Sequence, residues 1–327
     1  MRAIIVQKAG GVDQLTMGEV PAPEPAAEEL LVRVKATALN RADILQREGK
    51  YPPPPGASPL LGLEMAGVVE RVGSRCTGWK EGDRVFGLLP GGGYGEYCVI
   101  PGRMAMPIPE NLSFEEAAAV PEVFLTAYQA LFWLGSLQRG ERVLIHAGAS
   151  GVGTAAIQLV REAGAEPLVT AGTPEKLAAC RALGASAAFS YREGPFAPRV
   201  REATGGRGVD LILDFVGAPY WEQNVESLAT DGRLILISTL GGPKVEKVNL
   251  LALISKRIQV TGTTLRARSV DYKIRLTEDF ARFALPRFRD GRLKPVIDQV
   301  FPWESVKEAH RRMEANRNIG KIVLRVD

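Results

Sequence analysis

The chain of 327 residues is 46% hydrophobic and 24% charged, and its 41 Lys and Arg against 37 Asp and Glu leave a formal net charge of +4. That is the balance of a folded, soluble protein long enough for two ordinary domains, and no apolar run nears the roughly 20 residues that a membrane span requires. The start, MRAIIVQKAGGVDQ, lacks the longer apolar stretch of a secretory signal, so a cytoplasmic protein is expected; mild, dispersed positive charge favours a small anionic ligand over nucleic acid. Cys76, Cys98 and Cys180 are too scattered for a disulfide framework or a Cys-x-x-Cys metal knuckle and read as buried thiols.

Roughly the first 110 residues read as short strands: RAIIVQ, ELLVRVKATAL, MAGVVERVG, DRVFGL and GEYCVIP, separated by glycine, proline and charge. Between them, NRADILQREGK starts with a capping residue and a short helical stretch, then runs into the loop YPPPPGASPL, whose prolines cannot join a central strand. At Ser113, with Glu116 three residues on, a capping box opens a helical stretch that Pro121 should kink or divide, marking a hinge between domains. Beyond it strands alternate with helices: RVLIHA, a helix from Gly151, EPLVTA, PEKLAACRALG, AAFS, PFAPRVREATG, VDLILDFVG, YWEQNVESLA, then the strands RLILIST and IQVTG. That alternation requires crossovers and hence a parallel sheet. The remaining helix DYKIRLTEDFARFALPRFRDG, strand VIDQVF, helix WESVKEAHRRMEA and strand GKIVLRV should return to the first domain, giving divisions of 1–122, 123–264 and 265–327. The fold class is α/β, a doubly wound parallel sheet plus a β-rich domain.

VLIHAGASGVGTAA places Gly148, Gly151 and Gly153 between the first strand of the alternating region and its first helix. This is the setting of a dinucleotide fingerprint, in the variant spacing G-x-x-G-x-G: a pyrophosphate sits on the helix N-terminus, and glycine lets the backbone reach it. Sheets that bind NAD place a carboxylate roughly 20 residues further on, at the next strand tip. Here the tip is Thr170-Ala171-Gly172-Thr173, with Glu175 and Lys176 following. A small neutral turn with a nearby ammonium suits a 2′-phosphate, and Tyr191 can add a hydroxyl or a ring under the adenine.

NRADILQREGKYPPPPGASPLLGLEMAGVV, GLLPGGGYGEY, HAGASGVGTAAIQL and EANRNIGKIVL together resemble the zeta-crystallin-like quinone oxidoreductases of the medium-chain dehydrogenase/reductase superfamily, in family order and over essentially the whole chain. The resemblance implies a GroES-like catalytic domain, a Rossmann domain, NADPH as cofactor, a quinone or conjugated carbonyl as acceptor, and a homodimer. Carried over by position, it puts Asn40 and Thr126 beside the nicotinamide, Ser150, Gly151 and Val152 at the pyrophosphate, and Gly172, Lys176 and Tyr191 at the phosphate-bearing ribose. Phe215 and Val216, Thr239, Leu240 and Gly241, Leu265 with Arg266, and Asn318 complete the cofactor cleft, and Tyr51 is the candidate facing the substrate.

Zinc alcohol dehydrogenases of this superfamily carry a Gly-His-Glu; here Gly62-Leu63-Glu64 has leucine in the ligand position, and Asn40 and Asp43 stand where the early cysteine is sought. No metal is therefore expected, and His146 reads as a packed imidazole. Where some members have a tyrosine two residues beyond Asp43, this chain has Leu45, a departure from the family pattern at the aromatic wall over the quinone. With Asn40, Tyr51 and Thr126 as the catalytic set, the work is orientation of NADPH against an electrophilic acceptor, with a proton from water or a hydroxyl such as Tyr51. Two other readings stand beside it: an enoyl-thioester reductase of the same superfamily, and a non-enzymatic nucleotide- or RNA-binding role.

Overall fold

A computed structural model describes residues 1–326. The chain forms two compact units, one of Met1–Leu125 with the segment from Arg266 onward, the other of Thr126–Leu265. The boundaries at Leu125 and Leu265 compare with the 122 and 264 read from the sequence.

The first unit opens with an antiparallel pair, β1 (Arg2–Val6) and β2 (Leu15–Glu19). There follow β3 (Glu29–Ala38), α1 (Arg41–Arg47), β4 (Glu64–Val72), β5 (Arg84–Leu88), β6 (Tyr97–Pro101) and β7 (Ala105–Pro107). Ser113 caps α2 (Phe114–Ala118) in the expected capping box, with Oγ accepting from Glu116 N at 3.1 Å and Glu116 Oε2 accepting from Ser113 N at 2.9 Å. Pro121 divides the helical stretch, because it starts a second helix, α3 (Pro121–Tyr128).

The second unit is β8 (Arg142–Ile145), α4 (Gly151–Glu162), β9 (Glu166–Ala171), α5 (Pro174–Ala182), β10 (Ala187–Ser190), α6 (Ala197–Ala203), β11 (Val209–Asp214), α7 (Trp221–Ser227), β12 (Leu228–Leu236), α8 (Leu250–Lys256) and β13 (Gln259–Gly262). All six strands are parallel, in the order β10-β9-β8-β11-β12-β13. Chain order reverses between β8 and β11, which makes the carboxyl ends of these two strands the switch point where such sheets bind ligands. Leu144, Leu168, Phe189, Phe196, Val200, Ile212 and Leu234 form one buried cluster against the sheet. The sequence reading passed from RLILIST to IQVTG with no helix between; the structure supplies α8, as two parallel neighbours require a crossover. Arg257 is the left-handed C-cap of α8, with φ 53°, and the last strand begins at Gln259.

The chain then returns to the first unit as α9 (Val270–Arg289), β14 (Ile297–Pro302), α10 (Val306–Glu314) and β15 (Lys321–Arg325). β15 pairs with β3 through Val323 to Arg325, closing a sheet ordered β14-β15-β3-β4-β5-β7, with β6 also on β3. Phe280 and Phe288 of α9 pack on Phe124, with ring centroids 6.2 and 5.2 Å away. Beside α10, the buried Arg47 guanidinium pairs with Glu314 and donates to Gly10 O and His310 Nδ1. A guanidinium can only donate, so His310 keeps its proton on Nε2 and shares it with the Tyr94 hydroxyl at 3.1 Å.

Burial first, and Arg47 second, push the His310 imidazole from 6.5 down to about 3. The unfolded chain binds a proton there below pH 6.5 that the fold refuses until about 3, so His310 removes stability as pH falls through that window. Urea midpoints measured across the window should decline less in His310→Gln than in the wild type; parallel declines would show that His310 does not drive the acid loss.

Candidate cofactor and substrate site

In the second unit, every strand tip on the carboxyl side is tied to its neighbour by backbone hydrogen bonds. Gly148 N donates to Thr170 O at 2.9 Å, and Tyr191 N to Ala171 O at 3.3 Å. Leu240 N and Gly241 N donate to Phe215 O and Val216 O, at 3.1 and 2.9 Å. Gly172, Tyr191, the glycine loop, Phe215, Val216, Thr239, Leu240 and Gly241 are thus drawn along one edge of one sheet. Lys176 lies half-buried in the first turn of α5, and Leu265 is buried at the end of the unit.

Beneath the tips runs a buried polar chain. Asp214, the last residue of β11, accepts from Val216 N at 2.6 Å, Gly217 N at 3.2 Å and Asn224 Nδ2 at 2.9 Å. Asn224 Oδ1 then accepts from His146 Nε2 at 2.6 Å, which leaves Nδ1 to accept from the Thr170 hydroxyl at 2.9 Å. Desolvation lowers the His146 pKa against the pull of Asp214 and Asn224, and the imidazole stays neutral, a strut between β8, β9 and β11. The sequence reading took His146 as a packed residue but missed Asp214 and Asn224; an acidic residue ending a buried strand was the available signal.

Ala147, at φ 48°, turns the chain off β8, and Ser150 caps α4 by accepting from Gly153 N at 3.0 Å. A Cβ on Gly153 would lie 2.4 Å from Ala147 O and 2.6 Å from Gly148 O. The first turn of α4 has no acidic residue, and the amides of Gly151 and Val152 are those a helix start leaves unpaired. At the next tip, a Cβ on Gly172 would lie 2.3 Å from the Tyr191 hydroxyl. Glu175 is exposed, its carboxyl held below the usual range by hydrogen bonds with its own amide and the Thr173 hydroxyl. Thr126 is 6% exposed, and its buried hydroxyl has no partner among the described residues. A glycine-floored helix start, a tip with no carboxylate of its own and an orphan hydroxyl fit a nicotinamide dinucleotide.

The first unit holds Asn40, Tyr51, Arg266 and Asn318. Asn40 caps α1 and is buried; its Nδ2 donates to Glu64 Oε1 at 2.7 Å, and its Oδ1 accepts from Lys321 Nζ at 2.7 Å. Lys321 also donates to Leu39 O and to Glu64 Oε1, each at 2.7 Å. The Asn40 amide is therefore locked in orientation by a buried ion pair that the sequence reading did not detect. Arg266 donates to Pro90 O at 2.9 Å and to Gln46 Oε1 at 2.7 Å, and stacks over Tyr51 with its Cζ 5.2 Å from the ring centroid. Asn318 is occupied locally, its Nδ2 donating to Gly320 O at 2.8 Å. Leu63 is buried, and among the described residues no three His, Cys, Asp or Glu side chains are grouped to hold a metal.

Residues 26–110 match the alcohol dehydrogenase GroES-like domain family, and residues 151–282 the zinc-binding dehydrogenase family. A quinone oxidoreductase of Lama guanicoe is 32% identical over 99% of this chain and 97% of its own length. Among solved structures, an NAD-dependent alcohol dehydrogenase superposes with a TM-score of 0.88 at 34% identity over 100% of both chains. A mycobacterial protein in complex with NADPH superposes with a TM-score of 0.88 at 31% identity over 99% of both chains.

The two glycine contacts differ in what can yield. Gly153→Ala drives a methyl into fixed backbone and should cost about 1–3 kcal/mol in thermal unfolding and abolish cofactor binding. Gly172→Ala meets only the end of the exposed Tyr191 side chain and should fold normally with weakened binding. Equal stability losses in the two variants would contradict this account of the loops.

Proposed function

Because the chain belongs to the zeta-crystallin-like quinone oxidoreductases of the medium-chain dehydrogenase/reductase superfamily, we propose that it is a zinc-independent, NADPH-dependent reductase of quinones or conjugated carbonyls. The observation that carries the reading is the glycine-floored start of α4 beside a strand tip with no carboxylate of its own, Thr170 to Thr173. The amides of Gly151 and Val152 hold the pyrophosphate, and Ser150 fixes the turn. Lys176 and the Tyr191 hydroxyl receive the 2′-phosphate, and the Thr126 hydroxyl meets the nicotinamide. Bound there, the cofactor supplies a hydride. Asn40, rigid in its network, and Tyr51, backed by Arg266, orient the reactants, so rate comes from positioning.

Zinc independence is supported by Leu63 in the Gly-Leu-Glu segment and by Asn40, whose amide is committed to Glu64 and Lys321. The assay follows NADPH absorbance with ortho- and para-quinones, an enone and a primary alcohol, with and without chelator. Chelator-resistant quinone or enone turnover is expected; rapid alcohol oxidation without quinone turnover overturns the reading. A phosphate–ammonium contact contributes about 1.5–3 kcal/mol, so Lys176→Ala should weaken NADPH about tenfold or more while sparing NADH. Equal losses for both cofactors would assign the phosphate elsewhere.

We also propose a homodimer. Among the described residues β13 pairs only with β12, and the neighbouring α8 exposes Leu250, Leu251 and Ile254, the last two at 71% each. An open edge beside apolar side chains is stabilised by a second copy pairing across a twofold axis. Light scattering should give a dimer, and Leu251→Lys a monomer; a wild-type monomer at micromolar concentration refutes it.

A further inference from the structure

The buried ion pair of the first unit carries more acid than base. Lys321 faces three carboxyl groups, those of Asp43 on α1, Glu64 on β4 and Glu122 on α3, and the Arg266 guanidinium also acts on Asp43. Glu64 is fully engaged: Oε1 accepts from Lys321 and Asn40, and Oε2 accepts from the Glu122 amide at 2.9 Å. Asp43 accepts from the amides of Asn40 at 2.8 Å and Gly62 at 2.9 Å. The Glu122 carboxyl has no donor among the described residues and, unlike the other two, is only half-buried. A carboxyl desolvated beside two others, with the one ammonium already spent on Glu64, is the group on which a proton is best kept. Burial, with Glu64 and Asp43 opposing Lys321, pushes Glu122 up to about 7, while Asp43, helped by its two amides, reaches about 6.

A second observation lies on the same helix. Thr126 follows Glu122 by one turn of α3, where side chains four apart share a face, and its buried hydroxyl has no partner among the described residues. A carboxyl without a donor and an orphan hydroxyl therefore stand on one face of the same helix.

Resting on the reductase reading above, we propose that Glu122 is the general acid of the reaction. Once the acceptor has taken its hydride, the Glu122 O–H bond breaks and the proton forms an O–H bond on a hydroquinone oxygen or a C–H bond on the α-carbon of a reduced enone. The carboxylate left behind recovers its proton from water, which its partial exposure admits. Lys321, Glu64 and Asp43 then have a common task, to set the charge against which Glu122 titrates.

The test uses Glu122→Gln, which keeps the shape and the backbone bond to Glu64. Without cofactor, the infrared spectrum of the wild-type protein should show a protonated-carboxyl band that disappears as pH rises through about 7 and is missing in the variant. With NADPH and an enone, wild-type kcat/KM should fall as pH rises through the same value; the variant should be slower by about 10²-fold and lose that limb. Unchanged melting and NADPH affinity in the variant separate this from misfolding. Should Glu122→Gln prove unfolded, the band and the pH limb are read in Glu122→Asp, where both should shift together. Enone turnover with the wild-type rate and pH profile in Glu122→Gln, as a proton from Tyr51 or bulk water would give, overturns the proposal alone. No turnover of any acceptor by the wild-type protein overturns the reductase reading and the proposal with it.

Discussion

The buried pair of Lys321 and Glu64 is the interaction on which the first unit depends. It joins β15, at the far end of the chain, to β4, and neither group is exposed enough for water to replace its partner. Removing one member of such a pair leaves the other charged and unpaired, at about 3–5 kcal/mol, far more than an exposed ion pair is worth. The pair does more than join strands. Through Asn40 it fixes an amide at the start of α1, and through the Glu122 amide it fixes the start of α3. Two helix starts are thereby held by one carboxylate.

The second unit solves a similar problem without an ion pair. Its parallel strands end in loops whose amides have lost their ladder partners, and Asp214 gathers those of Val216 and Gly217. The neutral chain through Asn224, His146 and Thr170 then ties three strand ends together, with each group donating or accepting as its chemistry allows. A charged His146 would have to donate from both nitrogens, and the chain would lose its direction.

What the sequence made legible is what is local. The glycine loop, the capping box at Ser113, the break at Pro121 and the strand–helix alternation as far as β12 each depend on residues within a few positions of one another, and the structure has them as read. The network around Asn40 was hidden because its members are 24 and 257 or more positions apart, and nothing in a single segment marks them as partners. α8 was missed for a different reason. Its apolar residues Leu250, Leu251 and Ile254 are exposed, so the segment lacks the one-sided pattern that a helix packed on a core displays.

In a protein whose buried polar groups are so thoroughly paired, the few that are not carry information. Among the described residues five buried side-chain atoms lack a partner, and two of them, Thr126 Oγ1 and Arg266 Nη1, belong to residues that sequence resemblance alone had assigned to the cofactor. The other three, Ser227 Oγ, Thr277 Oγ1 and Trp303 Nε1, belong to residues with no such assignment. A buried polar group left without a partner costs about 1–3 kcal/mol for as long as nothing completes its bonds. The fold bears this at Thr126 and Arg266 while Asn40, beside them in the sequence argument, is saturated. A saturated group such as Asn40 is fixed in geometry by its partners, whereas an orphaned one keeps hydrogen-bonding capacity that the fold does not use.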